Sequence, residues 1–400
     1  MAGYVRNRMF FSISTLAMLG VGAYVSYRLV FALNLPLWLS AALTLFILLI
    51  SQTISVMRLI IVAAPGVSFN WLRVGGYISA LFMTLVSLVV IRDIILFILW
   101  VAMRVLRVTG AGALATWLNA PLMDAILLGG SVFAAAFFMW SALRVPRIHE
   151  LEIPMKTLPP ELDGLRIAQL SDLHVGSTFD ALWLREVVER TNAMAPDFVL
   201  ITGDLVDGRP AVMGEDMKLL SKLKAKYGVL IIVGNHEYYS GVMPWVRTWR
   251  RQGLTVLLNE HRVFMINGVP LVIAGVADPN AARFPGLVPP DPVAARAGAP
   301  QAFSILMAHQ PKDAALHAAL GYNLQLSGHT HGGQFNLFGL TPYAVGFERF
   351  GARNFPPLLV SGEADFGPCR VMVSKGVGSS RIPLRVGVRP EIHRVEFFSA

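Results

Sequence analysis

Hydrophobic and polar positions follow one another in two different ways along this chain, and the change comes near residue 150. Before it lie four nearly unbroken apolar runs, at roughly residues 10–33, 37–62, 75–101 and 120–143. A helix needs about 20 apolar residues to cross a hydrocarbon core, so these runs predict four membrane-spanning helices. The first run follows Arg6 and Arg8 like a secretory signal, but no small-residue cleavage site follows it, so it reads as a retained anchor. After HELEIPMKTLPPELDGLR, a segment rich in proline and charge, the runs become short and β-branched: LRIAQL, FVLIT, GVLIIV, LVIAGV, FSILMA and YNLQLS. Their length is that of buried strands, with helix or loop between them. ALWLREVVERTNAMA has the three- and four-residue apolar spacing of an amphipathic helix. The expected architecture is a transmembrane helical domain over 1–149 and an α/β domain over 150–400.

Composition and charge refine this picture. The apolar share of 54% exceeds that of ordinary soluble domains. Of the net +9, residues 1–149 carry 10 Lys/Arg against 2 Asp/Glu, and residues 150–400 carry 24 against 23. The basic excess therefore flanks apolar runs, which is a pattern of membrane orientation and excludes a nucleic-acid-binding face. With four spans, one side holds Arg6, Arg8, Arg58, Arg73, Arg144, Arg147 and Lys156, and the other holds Arg28, Arg104 and Arg107. That asymmetry predicts a multi-pass protein of the bacterial inner membrane with its C-terminal half in the cytoplasm. Arg92 and Asp93 fall inside the third run, where charge is costly; they read as structural partners of other helices. The single cysteine, Cys369, excludes an internal disulfide framework and a cysteine zinc site.

The residues just past each strand carry the chemistry. LRIAQL leads to Asp172 and His174, FVLIT to Asp204 and Asp207, and GVLIIV to Asn235 and His236. FSILMA leads to His309, and YNLQLS to His329 and His331. Open α/β sheets gather their ligand sites at such carboxyl ends. The remaining histidines, His149, His261, His317 and His393, read as surface or satisfied core residues. Carboxylate, amide and imidazole donors without thiolate suit Mn²⁺, Fe²⁺ or Zn²⁺. Asp172, His174, Asp204, Asn235, His309, His329 and His331 are too many for one ion with open positions, and two ions sharing a carboxylate use them economically. The glycines before Asp204, Asn235 and His329 would let the backbone turn sharply.

In this order the motifs Asp-x-His, Gly-Asp-x-x-Asp, Gly-Asn-His-Glu, a lone His and Gly-His-x-His resemble those of the calcineurin-like metallophosphoesterases. The resemblance covers about residues 160–398, and GHTHGGQ with GVGSSRIPLRVGVRPEI downstream is similar to the membrane-associated bacterial branch. It implies a two-sheet β-sandwich flanked by helices, which the strand-end motifs alone do not distinguish from a single open sheet. It also implies that Asp172, His174 and His331 hold one metal, that Asn235, His309 and His329 hold the other, and that Asp204 bridges them. His236 would be no ligand but would protonate the leaving oxygen or stabilise the transition state, oriented by Asp207, and a metal-bridging hydroxide would attack phosphorus. Mn²⁺ is the expected ion pair, with Fe²⁺ or Zn²⁺ as alternatives.

The expected substrate is a phosphodiester or pyrophosphate of a lipid or lipid-linked nucleotide at the bilayer. Two stretches, Met243 to Gly253 and Leu340 to Leu358, are candidates for an apolar and basic lip over the site, with Trp245, Trp249, Arg247, Arg250 and Arg251 facing anionic lipid. For the first stretch, a core helix with a solvated basic face is the competing reading. Two rival functions are an inactive regulatory module and an active enzyme on a soluble ester such as a cyclic nucleotide.

Overall fold

The computed structural model describes residues 2–63, 69–105, 111–334, 360–380 and 382–399. The chain divides into two compact units, Met1–Trp140 and Ser141–Ala400.

The first unit is helical, with α1 (Ala2–Leu29), α2 (Leu37–Ser51), α3 (Thr53–Ala63), α4 (Phe69–Arg104), α5 (Ala111–Leu118) and α6 (Pro121–Leu143). Four stretches among the described residues are long and apolar enough to cross a membrane: Thr15–Leu33, Leu37–Met57, Trp71–Arg104 and Pro121–Leu143. Val25, Leu29, Ile47, Ile50, Phe82, Leu85 and Val89 form the interior, while Leu45, Phe46, Phe97, Phe133 and Phe137 are exposed. An apolar exterior is what a hydrocarbon solvent selects.

Charge inside this unit is paired. Arg92 is buried against Asp124, and Asp93 accepts from Arg28 at 2.6 and 2.7 Å and from the Tyr24 hydroxyl. Arg92 Nε also meets Asp93 at 3.1 Å, so α1, α4 and α6 share one ionic network. Arg28, counted above with the loop charges, thus lies inside a helix with its own counter-ion.

The second unit is a sandwich of two six-stranded sheets. Its strands are β1 (Ile148–Met155), β2 (Leu165–Leu170), β3 (Phe198–Thr202), β4 (Gly228–Ile232), β5 (Thr255–Val256) and β6 (Glu260–Ile266). They continue with β7 (Val269–Gly275), β8 (Phe303–Met307), β9 (Leu324–Ser327), β10 (Gly362–Phe366), β11 (Cys369–Val373) and β12 (Ile392–Ser399). One sheet runs β1-β12-β2-β3-β4-β5 and the other β10-β11-β9-β8-β7-β6. Strands β2 to β5 are mutually parallel, as are β7, β8, β9 and β11. Ile167, Phe198, Leu200, Leu230 and Ile232 from the first sheet pack against Leu271, Ile273, Ile305, Met307, Leu324 and Leu326 from the second. The two-layer core settles the choice left open between a sandwich and a single sheet.

Short helices cover the outside: α7 (Ala181–Ala193), α8 (Pro210–Met217), α9 (Asn235–Ser240), α10 (Val242–Arg251), α11 (Pro292–Arg296) and α12 (Ala314–Ala319). The predicted amphipathic helix is α7, started by Asp180, whose carboxylate accepts from the Leu182 and Trp183 amides at 3.1 Å.

Candidate metal centre

Parallel strands from both sheets end on the same side, and their loops deliver the predicted residues to one place. Asp172, His174 and His331 form one group, and Asp204, His309 and His329 another, each with ligand atoms within 4.8 Å of one another. In the first, His331 Nε2 lies 3.0 Å from His174 Nε2 and 3.4 Å from Asp172 Oδ1. In the second, His309 Nε2 lies 3.2 Å from Asp204 Oδ2, 3.2 Å from Asn235 Oδ1 and 3.3 Å from His329 Nδ1. Asp204 Oδ2 is also 3.8 Å from His174 Nε2, so this carboxylate stands between the groups.

The protons show what the arrangement lacks. His309 Nδ1 sits 2.8 Å from the Thr202 carbonyl, which can only accept, so Nδ1 carries the hydrogen. Its Nε2 is thereby left to the Asp204 and Asn235 oxygens, with His329 Nδ1 alongside. His174 Nδ1 likewise lies on the Asp207 carboxylate at 3.3 Å, while its Nε2 can accept from His331 Nε2, because His331 Nδ1 accepts from Arg385. Carboxylate, amide and imidazole atoms brought this close form a donor set that fits a divalent ion in each group. Burial alone would lower the His309 pKa, but Asp204 overrides it and drives it well up, so positive charge, from a proton or a metal ion, is favoured at Nε2. Burial and His309 push His329 down to about 4.

His236 is placed differently. Its Nδ1 pairs with Asp207, while its Nε2 remains 3.9 Å from Asp204 Oδ2, on the side where both groups meet. Burial opposes ionisation of Asp207, yet His236 and His174 hold its carboxyl well below the usual range. Asp207 therefore serves two histidines, of which sequence reading named one.

Backbone conformation differs from the expectation about glycine. Asp172, His174, Asp204, His329 and His331 themselves adopt left-handed φ, between 49° and 72°. This region costs a non-glycine residue energy and persists where the surroundings over-determine it. Of the three glycines, Gly203 has positive φ (94°). Gly328 is needed for closeness: a Cβ there would fall 1.9 Å from Ser171 Oγ and 2.3 Å from Asp172 Oδ2.

Three buried residues beside the centre were given no role by the sequence reading. Glu237 accepts from the amides of Gly234, Asp204, Leu205 and Val206 at 2.6–3.1 Å, tying the bridging loop to α9. Burial and Asp204 push its pKa up to about 8, against the pull of these donors. Arg385 reaches His331 Nδ1 at 3.2 Å and the carbonyls of Gly376 and Gly378; burial lowers its pKa to about 10. Asp278, shortly after β7, accepts from the Gln310 side chain at 3.0 and 3.1 Å, and the strand-end rule applied to β7 would have found it.

The lip expectation is corrected in part. Trp245 and Trp249 are fully buried and stack at 5.1 Å, so α10 is a core helix with Arg247, Arg250 and Arg251 outside. Those tryptophans cannot face lipid because they fill the space under the helix. Leu340 to Leu358 lies outside the described residues. Two of the other histidines read as expected: His261 Nδ1 meets the Ala295 carbonyl at 2.9 Å, and His317 Nδ1 meets Gln325 at 2.8 Å.

A family model described as calcineurin-like phosphoesterase matches residues 165–333, the stretch from β2 through the last two histidines. The uncharacterized metallophosphoesterase YkuE of Bacillus subtilis (strain 168) is 30% identical over 281 residues, covering 68% of this chain and 93% of its own. The chain belongs to the calcineurin-like metallophosphoesterases.

A transmembrane protein with metallophosphoesterase domain from Danio rerio is 34% identical over 269 residues, covering 65% of this chain and 59% of its own. Its bovine counterpart is 34% identical over 263 residues, with 63% and 57% covered; the chain thus spans under two thirds of these relatives. Among solved structures, a 5'-nucleotidase precursor from Thermus thermophilus aligns over 58% of this chain and 54% of its own at 14% identity and TM-score 0.35, too remote to carry an argument.

Proposed function

We propose that this chain is a membrane-embedded, metal-dependent phosphoesterase that hydrolyses a phosphodiester or pyrophosphate of a lipid or lipid-linked nucleotide. The observation that carries the metal reading is the convergence of His309 Nε2 with Asp204 Oδ2, Asn235 Oδ1 and His329 Nδ1 at 3.2–3.3 Å. Asp172, His174 and His331 would hold one ion and Asn235, His309 and His329 the second, with Asp204 available to both. Mn²⁺ is the ion we favour, with Fe²⁺ and Zn²⁺ as alternatives. Bound there, the pair would supply Lewis-acid charge to the phosphoryl oxygens and acidity to a water.

The chain's own residues do the rest. Asp207, accepting at His236 Nδ1, fixes the ring so that Nε2 faces the reacting side and hands a proton to the leaving oxygen. Glu237 holds the Asp204 loop by its amides, so the shared carboxylate keeps its place.

Four apolar helices and the names of the vertebrate relatives support a membrane location. The loop-charge excess supports a bacterial inner membrane with the catalytic part, 150–400, on the cytoplasmic side. GHTHGGQ and its downstream segment support the membrane-associated bacterial branch of the family.

The test is an assay of the purified, Mn²⁺-loaded full chain against bis-nitrophenyl phosphate, a cyclic nucleotide, phospholipid headgroup diesters and UDP-linked lipids. Faster turnover of a lipid ester supports the reading. Preference for the cyclic nucleotide overturns the lipid substrate, and full metal loading without turnover of any ester makes the domain a regulatory module.

A further inference from the structure

A third cluster of metal-capable side chains lies outside the centre just described, at the edge of the first sheet. Strand β1 pairs in parallel with β12, and the register sets His149 beside His393. Glu391 precedes His393 by two positions, and side chains two apart along extended chain share a face. Three donors therefore converge, with ligand atoms of His149, Glu391 and His393 within 4.8 Å of one another.

The hydrogen-bond directions are informative. The Gln169 amide nitrogen meets the Ser327 carbonyl at 3.0 Å and Thr202 Oγ1 at 3.2 Å, which turns its oxygen toward His393 Nδ1 at 3.3 Å. His393 Nδ1 must then carry the hydrogen, and a neutral ring presents its Nε2 lone pair to Glu391 Oε1 at 2.7 Å. Either the ring is an imidazolium or a cation is shared. His149 Nδ1, from the other side, is 3.6 Å from Glu391 Oε2, too long for a hydrogen bond. It is close to the ~3.3 Å that separates donors around a tetrahedral ion with bonds of about 2.0–2.1 Å.

We propose that His149, Glu391 and His393 form a mononuclear site for a borderline divalent ion, Zn²⁺, with a fourth position open to solvent. Two imidazoles and one carboxylate are a zinc donor set of the kind that keeps an open position. His149 is half exposed, so an ion has a way in, whereas His393 and Glu391 are buried and pre-positioned. Lys375 Nζ lies 2.9 Å from Glu391 Oε2 and counts against a cation there. Its amine takes Oε2, and the Lys375 amide donates to Oε1 at 2.9 Å, so a metal at Oε1 would share that oxygen with one hydrogen bond, as ligating carboxylates do. The ion would fasten the edge strand β1 to β12. Through Glu391, which accepts from the Lys375 amide at 2.9 Å and donates its own amide to Gly376 O at 3.0 Å, it would also brace the loop packed on Asp172.

The test is metal stoichiometry on the full chain, purified without a histidine tag and dialysed against Zn²⁺ at about micromolar free concentration. His149 is half exposed, so His149→Ala is expected to fold. It should bind one equivalent fewer than the unsubstituted protein. Asp204→Ala should keep the equivalent that His149→Ala loses, which separates this site from the dinuclear centre whatever that centre proves to be. Co²⁺ added to Asp204→Ala should give the intense visible bands of a tetrahedral nitrogen and oxygen site, absent once His149→Ala is added. Unchanged stoichiometry in His149→Ala, or no such bands in Asp204→Ala, overturns the proposal and leaves His393 and Glu391 as an imidazolium–carboxylate pair.

Discussion

The helical unit and the catalytic unit each bury a cluster of polar and ionisable groups, and the two clusters are composed in opposite ways. Among the helices, Arg92 meets Asp124 and Asp93 meets Arg28 and Tyr24; every acceptor faces a donor of the same chain. At the strand ends, His309 Nε2 converges with Asp204, Asn235 and His329, and His174 Nε2 with His331; carboxylate, amide and imidazole ligand atoms crowd together. Burying charge is tolerable when it is paired and hydrogen-bonded. The first cluster is therefore complete as it stands. The second is one that the cations proposed above would complete. Incompleteness of pairing, more than burial or rarity of charge, separates a site from a brace.

The contrast can be broken by substitution. The largest effect is expected for Asp204→Ala, which removes the carboxylate standing between both ligand groups: the metal held by these two groups should be lost in elemental analysis and turnover of bis-nitrophenyl phosphate should vanish. Retained activity would mean that the converging lone pairs do not hold the catalytic ions. Next comes His236→Ala, which should keep both ions and lose about 10²- to 10⁴-fold in kcat, the usual worth of a positioned proton donor. A large loss of metal there would make His236 a ligand and redraw the centre.

In the helical unit the prediction concerns stability. Asp124→Ala leaves the Arg92 guanidinium buried without its partner, and breaking such a pair costs about 3–5 kcal/mol. Replacing Arg92 and Asp124 together by leucine should recover most of that loss, measured by unfolding in mild detergent. A double variant as unstable as the single one would show that these charges do more than brace the helices. The smallest effect concerns acid. Burial holds His317 below the ordinary imidazole value, so the unfolded chain takes up its proton first as pH falls. Stability linked to His317 is thus present above about pH 6.5 and declines as the pH drops below it. The melting temperature of His317→Gln should accordingly fall less between pH 7 and pH 5, tracked by near-ultraviolet circular dichroism.

Much of the catalytic fold could be read from the sequence, for a physical reason. Strands β2, β3, β4, β7, β8 and β9 are covered on both faces, so they read as continuous apolar runs with defined ends. Strands β1, β6, β10 and β12 are edge or antiparallel strands, and HELEIPM, EHRVFMI, GEADF and IHRVEFFS mix charge with apolar positions. The short β5, Thr255–Val256, has no room for a pattern at all. The seven ligand candidates were legible because each follows an easily read strand. Glu237 and Arg385 were not, because their work is done through backbone groups and second partners that only the folded chain brings near; Asp278, just past β7, could have been read by the same strand-end rule. The burial of Trp245 and Trp249 was equally hidden: an amphipathic helix shows which face is apolar, not whether protein or lipid covers it.

The left-handed backbone at Asp172, His174, Asp204, His329 and His331 has a consequence for how such a domain can decay. Once the ions are no longer needed, nothing rewards those side chains, but the loops between well-packed strands still demand the same dihedral angles. Replacement would then be steered by the backbone toward glycine or asparagine, which adopt this conformation at least cost, and away from alanine or valine. A relative whose five positions have drifted to glycine and asparagine on intact strands is a former metal enzyme, and that history can be recognised from its letters alone.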